Sequence, residues 1–133
     1  MVIDTSAIVA IALDESDAAE LESRIADDPV RLISAAAVLE ATIVLETRLG
    51  DAGSREFDLW LLKIAAEIVP VDVEQLDAAR RGWRRYGRGR HAAALNYGDC
   101  FSYALAVVRG EPLLFKGTDF AATDVNRTGE ASS

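Results

Sequence analysis

Short apolar runs alternate along the chain with longer stretches that have helical spacing. The short runs predict buried strands at 2–3, 30–33, 68–71 and 113–115, with a short fifth strand at 123–125. Apolar residues three and four positions apart predict helices between them, over 7–13, 18–25, 35–49, 56–66, 73–86 and 97–108. This alternation predicts one α/β domain over 1–133, a three-layer α/β/α sandwich with a central four- to five-stranded parallel sheet.

Polar residues at the predicted helix ends support these boundaries. Ser34 and Asn96 are typical N-caps, and Gly50 and Gly110 are typical helix stops. The polar stretch 51–54 predicts a loop between two helices.

Composition narrows the class of protein. Half of the 133 residues are apolar, which favours a folded domain. The net charge of −8 argues against a protein that coats nucleic acid without specificity. The single cysteine, the lack of a basic leader and the shortness of the apolar stretch 7–13 predict a cytoplasmic protein with no membrane partner.

Four acids lie where a parallel sheet would collect them. Asp4 and Asp119 follow strands, and Glu40 and Asp99 lie near the starts of helices. Strand carboxyl ends and the following helix starts share one edge, so we expect the four on one rim. Each also has a structural explanation: Asp4 as a helix cap, Glu40 as a rim residue or arginine partner, Asp99 in a capping box with Asn96, and Asp119 in a turn.

Several carboxylates this close together repel each other unless a cation joins them. Oxygen ligands select Mg²⁺ or Mn²⁺. His91 and Cys100 lack the spacing of a zinc site. The sequence therefore predicts a magnesium or manganese site, of a kind that commonly activates water and bridges phosphate oxygens.

Three motifs together resemble the PIN-domain ribonucleases, and size and order point to the VapC-type toxins of bacterial toxin–antitoxin pairs. They are V-I-D-T-S at 2–6, A-A-V-L-E-A at 36–41 and N-Y-G-D-C-F-S-Y-A-L-A at 96–106, and L-L-F-K-G-T-D-F at 113–120 also fits. The resemblance covers essentially the whole chain. It implies a metal-dependent endoribonuclease with Mg²⁺ or Mn²⁺, homodimerisation and inhibition by a cognate antitoxin protein.

The resemblance also implies roles for the acids. Asp4 and Asp99 would ligate the metal, Glu40 would position or deprotonate the attacking water, and Asp119 would complete the site. Many relatives carry a further acid where this chain has Gly117, so the pattern supports Asp119 and a second metal less strongly. We also expect Thr5 and Ser6 to cap the first helix, with their hydroxyls in the water shell of the metal.

An arginine-rich segment leads into Asp99. Arginines crowd positions 80–90, with Trp83 and Tyr86 among them. A solvated helix face is the plain explanation. The functional one is a phosphate-binding patch whose aromatic rings stack on unpaired bases. The candidates for binding RNA are Arg84, Arg85, Arg88, Arg90 and Lys116.

Two other functions compete with an active ribonuclease. A receiver-like or phosphatase-like domain also combines acids with a late lysine and Mg²⁺, but Asp72 after the third strand is explained as a helix cap. A catalytically weak or inactive PIN-like module would act through protein or RNA binding alone. The apolar helices near the start and at 57–64 are where we expect a partner helix to bind.

Overall fold

The structure, a computed structural model, describes residues 1–117 and 120–125. Within these residues the chain alternates strands and helices, as the sequence predicts. The elements are β1 (Val2–Ile3), α1 (Thr5–Ala12), α2 (Ala18–Asp27), β2 (Leu32–Ser34), α3 (Ala35–Lys63), β3 (Glu67–Val69), α4 (Val73–Tyr86), α5 (Tyr97–Arg109) and β4 (Leu113–Leu114).

The strands form one parallel sheet in the order β3-β2-β1-β4. β1 lies inside the sheet, with Val2 in register with Leu32 on one side and Leu113 on the other. The predicted fifth strand at 123–125 is wrong, because these residues form bends that follow a turn at 120–122. The Thr123 N–H and hydroxyl both donate to the Phe120 carbonyl, so a local turn uses the backbone N–H and C=O groups that a strand would pair.

Helices cover both faces of the sheet. Successive strand residues point to opposite faces, so Val2 and Leu113 pack with α4 and α5, whereas Ile3 and Leu114 pack with α1, α2 and α3. This confirms the three-layer arrangement. The carboxyl ends of the strands and the starts of the helices therefore meet at one edge.

The helix α3 differs from its prediction. Gly50 interrupts it with φ 71° and ψ −165°, a conformation that glycine adopts without a Cβ penalty. The predicted break at Gly50 is confirmed, but the predicted loop at 51–54 is wrong, since the chain resumes helix directly after the glycine. One residue with positive φ is enough to redirect the chain.

No helix among residues 1–117 and 120–125 is long and apolar enough to cross a membrane.

Candidate active site

Asp4 lies at the carboxyl end of β1 and begins the acidic edge. Its backbone N–H donates to Leu114 O at 3.0 Å, which aligns the end of β1 with β4. Its carboxylate accepts from the Ser6 N–H at 3.0 Å, so Asp4 is the N-cap of α1. The predicted caps Thr5 and Ser6 are wrong, because both already lie in the first turn. Asp4 is only 4% exposed, so its carboxylate is held in a defined position.

The hydroxyls of Thr5 and Ser6 join α1 to two other elements. Thr5 Oγ1 donates to Ala37 O in the first turn of α3 at 3.3 Å. Ser6 Oγ accepts from the Lys116 N–H, just after β4, at 3.0 Å. Both hydroxyls therefore serve the packing of this edge, and their place in a metal's water shell stays a prediction.

The Glu40 carboxylate lies against Gly98, near the start of α5. A Cβ at Gly98 would lie 2.6 Å from Glu40 Oε2 and 3.1 Å from its Cδ. Any larger residue would therefore displace the carboxylate. Glu40 lines a groove of about 450 Å³ between α3 and α5, among apolar neighbours such as Ile43, which is 56% exposed. The apolar face around Glu40 is thus open to solvent and accessible to a substrate.

Asp99 follows Gly98 and caps the same helix. The Asn96 side chain accepts from the Asp99 N–H at 2.9 Å, and Asp99 Oδ2 accepts from the Asn96 N–H at 3.0 Å. The predicted capping box is confirmed. It fixes the Asp99 carboxylate one residue away from the position that Glu40 touches. Gly98 lies in the motif at 96–106, but the sequence pattern assigned it no role of its own.

Contacts therefore connect three of the four predicted acids along one edge. Asp4 precedes Thr5, which bonds to Ala37, one turn before Glu40 on α3. Glu40 in turn meets Gly98, the neighbour of Asp99. The fourth acid, Asp119, lies outside the described residues.

The donor chemistry of this edge suits a hard cation, because its candidate ligands are carboxylate oxygens. The space left by Gly98 admits the Glu40 carboxylate beside Asp99. Among residues 1–117 and 120–125, no group of three or more His, Cys, Asp or Glu side chains is arranged to hold a metal ion. The described acids supply the right ligand type, and a full ligand set would require Asp119 or a shift of these side chains.

Cys100 and His91 have structural roles. Cys100 Sγ donates to Asn96 O at 3.2 Å, and burial, with a smaller effect of the Asp99 charge, raises the pKa of the thiol. His91 Nδ1 accepts from the Ala93 N–H at 3.0 Å. Soft-metal or thiolate chemistry therefore finds no support in these two residues.

The predicted RNA-binding arginines Arg84, Arg85, Arg88 and Arg90 are all exposed. The two aromatic residues among them differ in role. The Arg90 guanidinium lies 4.3 Å from the centre of the exposed Trp83 ring. Tyr86 is buried against Tyr103, so the prediction that its ring stacks on a base is wrong.

Lys116 is held by two acids in the connection between α1 and α2. Its Nζ lies 3.0 Å from Glu15 Oε2 and 3.4 Å from Asp17 Oδ1. The hydrogen bond to Glu15 contributes most to the raised pKa of Lys116. In this structure Lys116 neutralises carboxylates, and its contact with RNA stays a prediction.

Comparison with known proteins places the chain in a family. The PIN domain matches residues 1–126. A ribonuclease VapC from Mycolicibacterium smegmatis is 62% identical over 125 residues, covering 94% of this chain and 97% of the relative. Ribonuclease VapC30 from Mycobacterium tuberculosis is 55% identical over 125 residues, covering 94% and 95%. The chain belongs to the PIN-domain family and, within it, to the VapC ribonucleases.

Solved structures agree on the fold. The sarcin–ricin loop cleaving toxin VapC20 from Mycobacterium tuberculosis has a TM-score of 0.75 at 19% identity, covering 93% of this chain and 95% of that one. A toxin–antitoxin complex from Klebsiella pneumoniae has a TM-score of 0.72 at 16% identity, covering 92% of each chain. As a member of the VapC ribonucleases, the chain is a ribonuclease of the toxin type. PIN-domain ribonucleases generally act with a divalent metal ion.

Proposed function

We propose that this chain hydrolyses RNA phosphodiester bonds as an endoribonuclease that depends on Mg²⁺ or Mn²⁺, through Asp4, Glu40, Asp99 and Asp119. The observation that carries the proposal is the approach of the Glu40 carboxylate to Gly98, directly before Asp99. The backbone does not require a glycine here, because Gly98 lies inside helix α5 and has no positive φ. Its value is the space that it leaves for the carboxylate.

The acids divide the work according to their surroundings. Asp4 is buried and fixed by the Ser6 N–H, and Asp99 is fixed by its capping box, so these two would hold the cation in place. A bound Mg²⁺ or Mn²⁺ would offset the negative charge on the phosphate oxygens and lower the pKa of bound water. Glu40 is exposed in its groove, so its Oε atoms can accept the proton of the attacking water.

Cleavage of a labelled RNA with and without metal tests the proposal. We expect cleavage with Mg²⁺ or Mn²⁺, none with chelator, and none in Asp99→Asn, whose amide oxygen can still accept from the Asn96 N–H. Asp72→Asn is the matched control, since Asp72 also caps a helix, through the Gln75 N–H. Full activity of Asp99→Asn would refute the assignment.

An antitoxin is the partner that we propose for a groove between α1 and α3. A groove of about 220 Å³ between α1 and α3 contains Ile8, Ile11, Phe57 and Trp60. Its apolar lining suits one face of an amphipathic helix. Co-purification with the product of a neighbouring gene, lost in Ile11→Glu, would support this site, and unchanged binding would reject it.

We also propose that the chain is a single domain over 1–133 that works as a homodimer in the cytoplasm. Leu59, near the end of α3 and outside the groove that contains Glu40, is an apolar side chain that remains 65% exposed. Burial of this surface against a second copy would remove it from water. Light scattering of the purified protein tests the dimer.

A further inference from the structure

A second groove, of about 510 Å³, lies between α4 and α5 and is lined mainly by apolar side chains. It is larger than the groove that contains Glu40. Tyr97 and Phe101 line both grooves, and their rings meet edge-on at 5.0 Å. A ligand that fills the larger groove therefore lies directly beside the acidic edge.

Arginines border this apolar space. Leu76, Arg80, Trp83 and Arg84 share one face of α4 because they are spaced three and four residues apart, and all four line the groove. Neither Arg80 nor Arg84 forms an ion pair with another residue in the described ranges. In a chain of net charge −8, cations bordering an apolar groove favour an anionic ligand with an apolar portion.

Trp83 is fixed in place although it is 41% exposed. The Arg90 guanidinium lies 4.3 Å from the centre of its ring. A Cβ at Gly87 would lie 2.6 Å from Trp83 Cδ1, so the backbone there packs closely against the indole. Because this exposed ring is already ordered, stacking a ligand on it loses little further side-chain entropy.

We propose that the α4–α5 groove binds an unpaired nucleobase of the RNA substrate next to the bond that is cut. The base stacks on Trp83, and Arg80 and Arg84 hold the adjoining phosphates. The proposal rests on the ribonuclease function and adds a subsite to it. Tyr86 and Arg85 do not belong to the subsite, since Tyr86 is buried and the Arg85 guanidinium lies over the Tyr86 ring.

Binding without metal separates this subsite from catalysis. A short single-stranded RNA labelled with fluorescein is titrated with wild-type protein in chelator, and anisotropy reports its affinity. We expect Trp83→Ala to weaken binding roughly tenfold and Trp83→Phe to retain most of it, because stacking needs an aromatic face. Leu62→Ala, an exposed change on α3, should bind like wild type.

The arginines have a separate readout. Arg84→Gln should lower the slope of affinity against salt concentration by about one, because one phosphate contact is lost. Arg55→Gln, an exposed arginine on α3, should leave the slope unchanged. An unchanged slope in Arg84→Gln would overturn its role.

Wild-type RNA affinity in Trp83→Ala would overturn the subsite. If that variant also changes from dimer to monomer in light scattering, the groove is assigned to a second copy of the chain. A wild type that cleaves RNA while Trp83→Ala binds normally refutes the subsite alone. A wild type that binds through Trp83 and fails to cleave refutes the ribonuclease proposal alone.

Discussion

Gly82 in α4 and Gly98 in α5 both lie where an added methyl group would collide with a side chain of another helix. At Gly82 the obstacle is the ring of Tyr103, which is buried in the core between α4 and α5. At Gly98 it is the end of the Glu40 side chain, in an open groove. A buried ring cannot move aside, whereas an exposed carboxylate can. The first glycine therefore serves stability, and we infer that the second serves the site.

The largest expected effect is the loss of the Glu40 carboxylate itself. Glu40→Gln should reduce RNA cleavage at least a hundredfold, because an amide cannot accept the proton of the attacking water. Its melting temperature should stay at the wild-type value, since Glu40 is exposed. Glu46→Gln, an exposed change farther along α3, is the matched control and should cleave normally. Equal cleavage by the two variants would remove Glu40 from the site.

Gly98→Ala should have the next largest effect, a loss of cleavage of roughly ten- to hundredfold. The added methyl group would displace the Glu40 carboxylate, and moving a catalytic group by about 1 Å is costly. Its free energy of unfolding should not fall, since the carboxylate swings away and alanine suits a helix. Cleavage rates and urea unfolding of the same preparation measure both. A stability loss as large as that of Gly82→Ala would abolish the contrast between the two glycines.

Gly82→Ala should show the reverse pattern. Overpacking against Tyr103 should lower the free energy of unfolding by about 1–3 kcal/mol. Cleavage per folded molecule should remain near wild type when it is measured well below the melting temperature. A variant that is fully stable yet inactive would contradict the structural role of Gly82.

The smallest effect concerns the hydrogen bond that Tyr103 donates to Asp124 at 2.8 Å. Tyr103→Phe should lose about 1 kcal/mol of stability at pH 8. Burial, then the hydrogen bond and charge of Asp124, raise the pKa of Tyr103 in the folded protein. Because the folded state keeps the proton longer, this stabilisation is complete below the unfolded pKa of about 10 and declines as the pH rises above it. Urea unfolding at pH 8 and pH 10.5 should show the gap between wild type and Tyr103→Phe narrowing, and a widening gap would be incompatible with the raised pKa.

Local sequence signals predicted the elements that depend on neighbouring residues. The Asn96 cap, the capping box of Asp99 and the stop at Gly110 all follow from groups within a few positions along the chain. The cap of α1 was assigned to Thr5 or Ser6 because a hydroxyl and a carboxylate cap equally well, and only the structure shows that Asp4 accepts the Ser6 N–H.

Features that depend on tertiary contacts had no local signal. The fit of Glu40 against Gly98 joins residues that are far apart in sequence and lie on different helices. The pairing of Lys116 with Glu15 likewise depends on the path of the chain between β4 and the α1–α2 connection. The burial of Tyr86 separates it from the exposed Trp83, although both lie among arginines.

Above all, we propose that Asp4 holds a divalent cation at the carboxyl edge of the sheet. Mn²⁺ binding, measured by electron paramagnetic resonance on wild type, Asp4→Asn and Asp72→Asn, tests it most directly. Both substitutions preserve a helix cap, so both proteins should fold. We predict that wild type and Asp72→Asn bind Mn²⁺ equally and that Asp4→Asn loses most of the affinity. Wild-type affinity in Asp4→Asn, or no binding by the wild type, would contradict the assignment of Asp4 as a metal ligand.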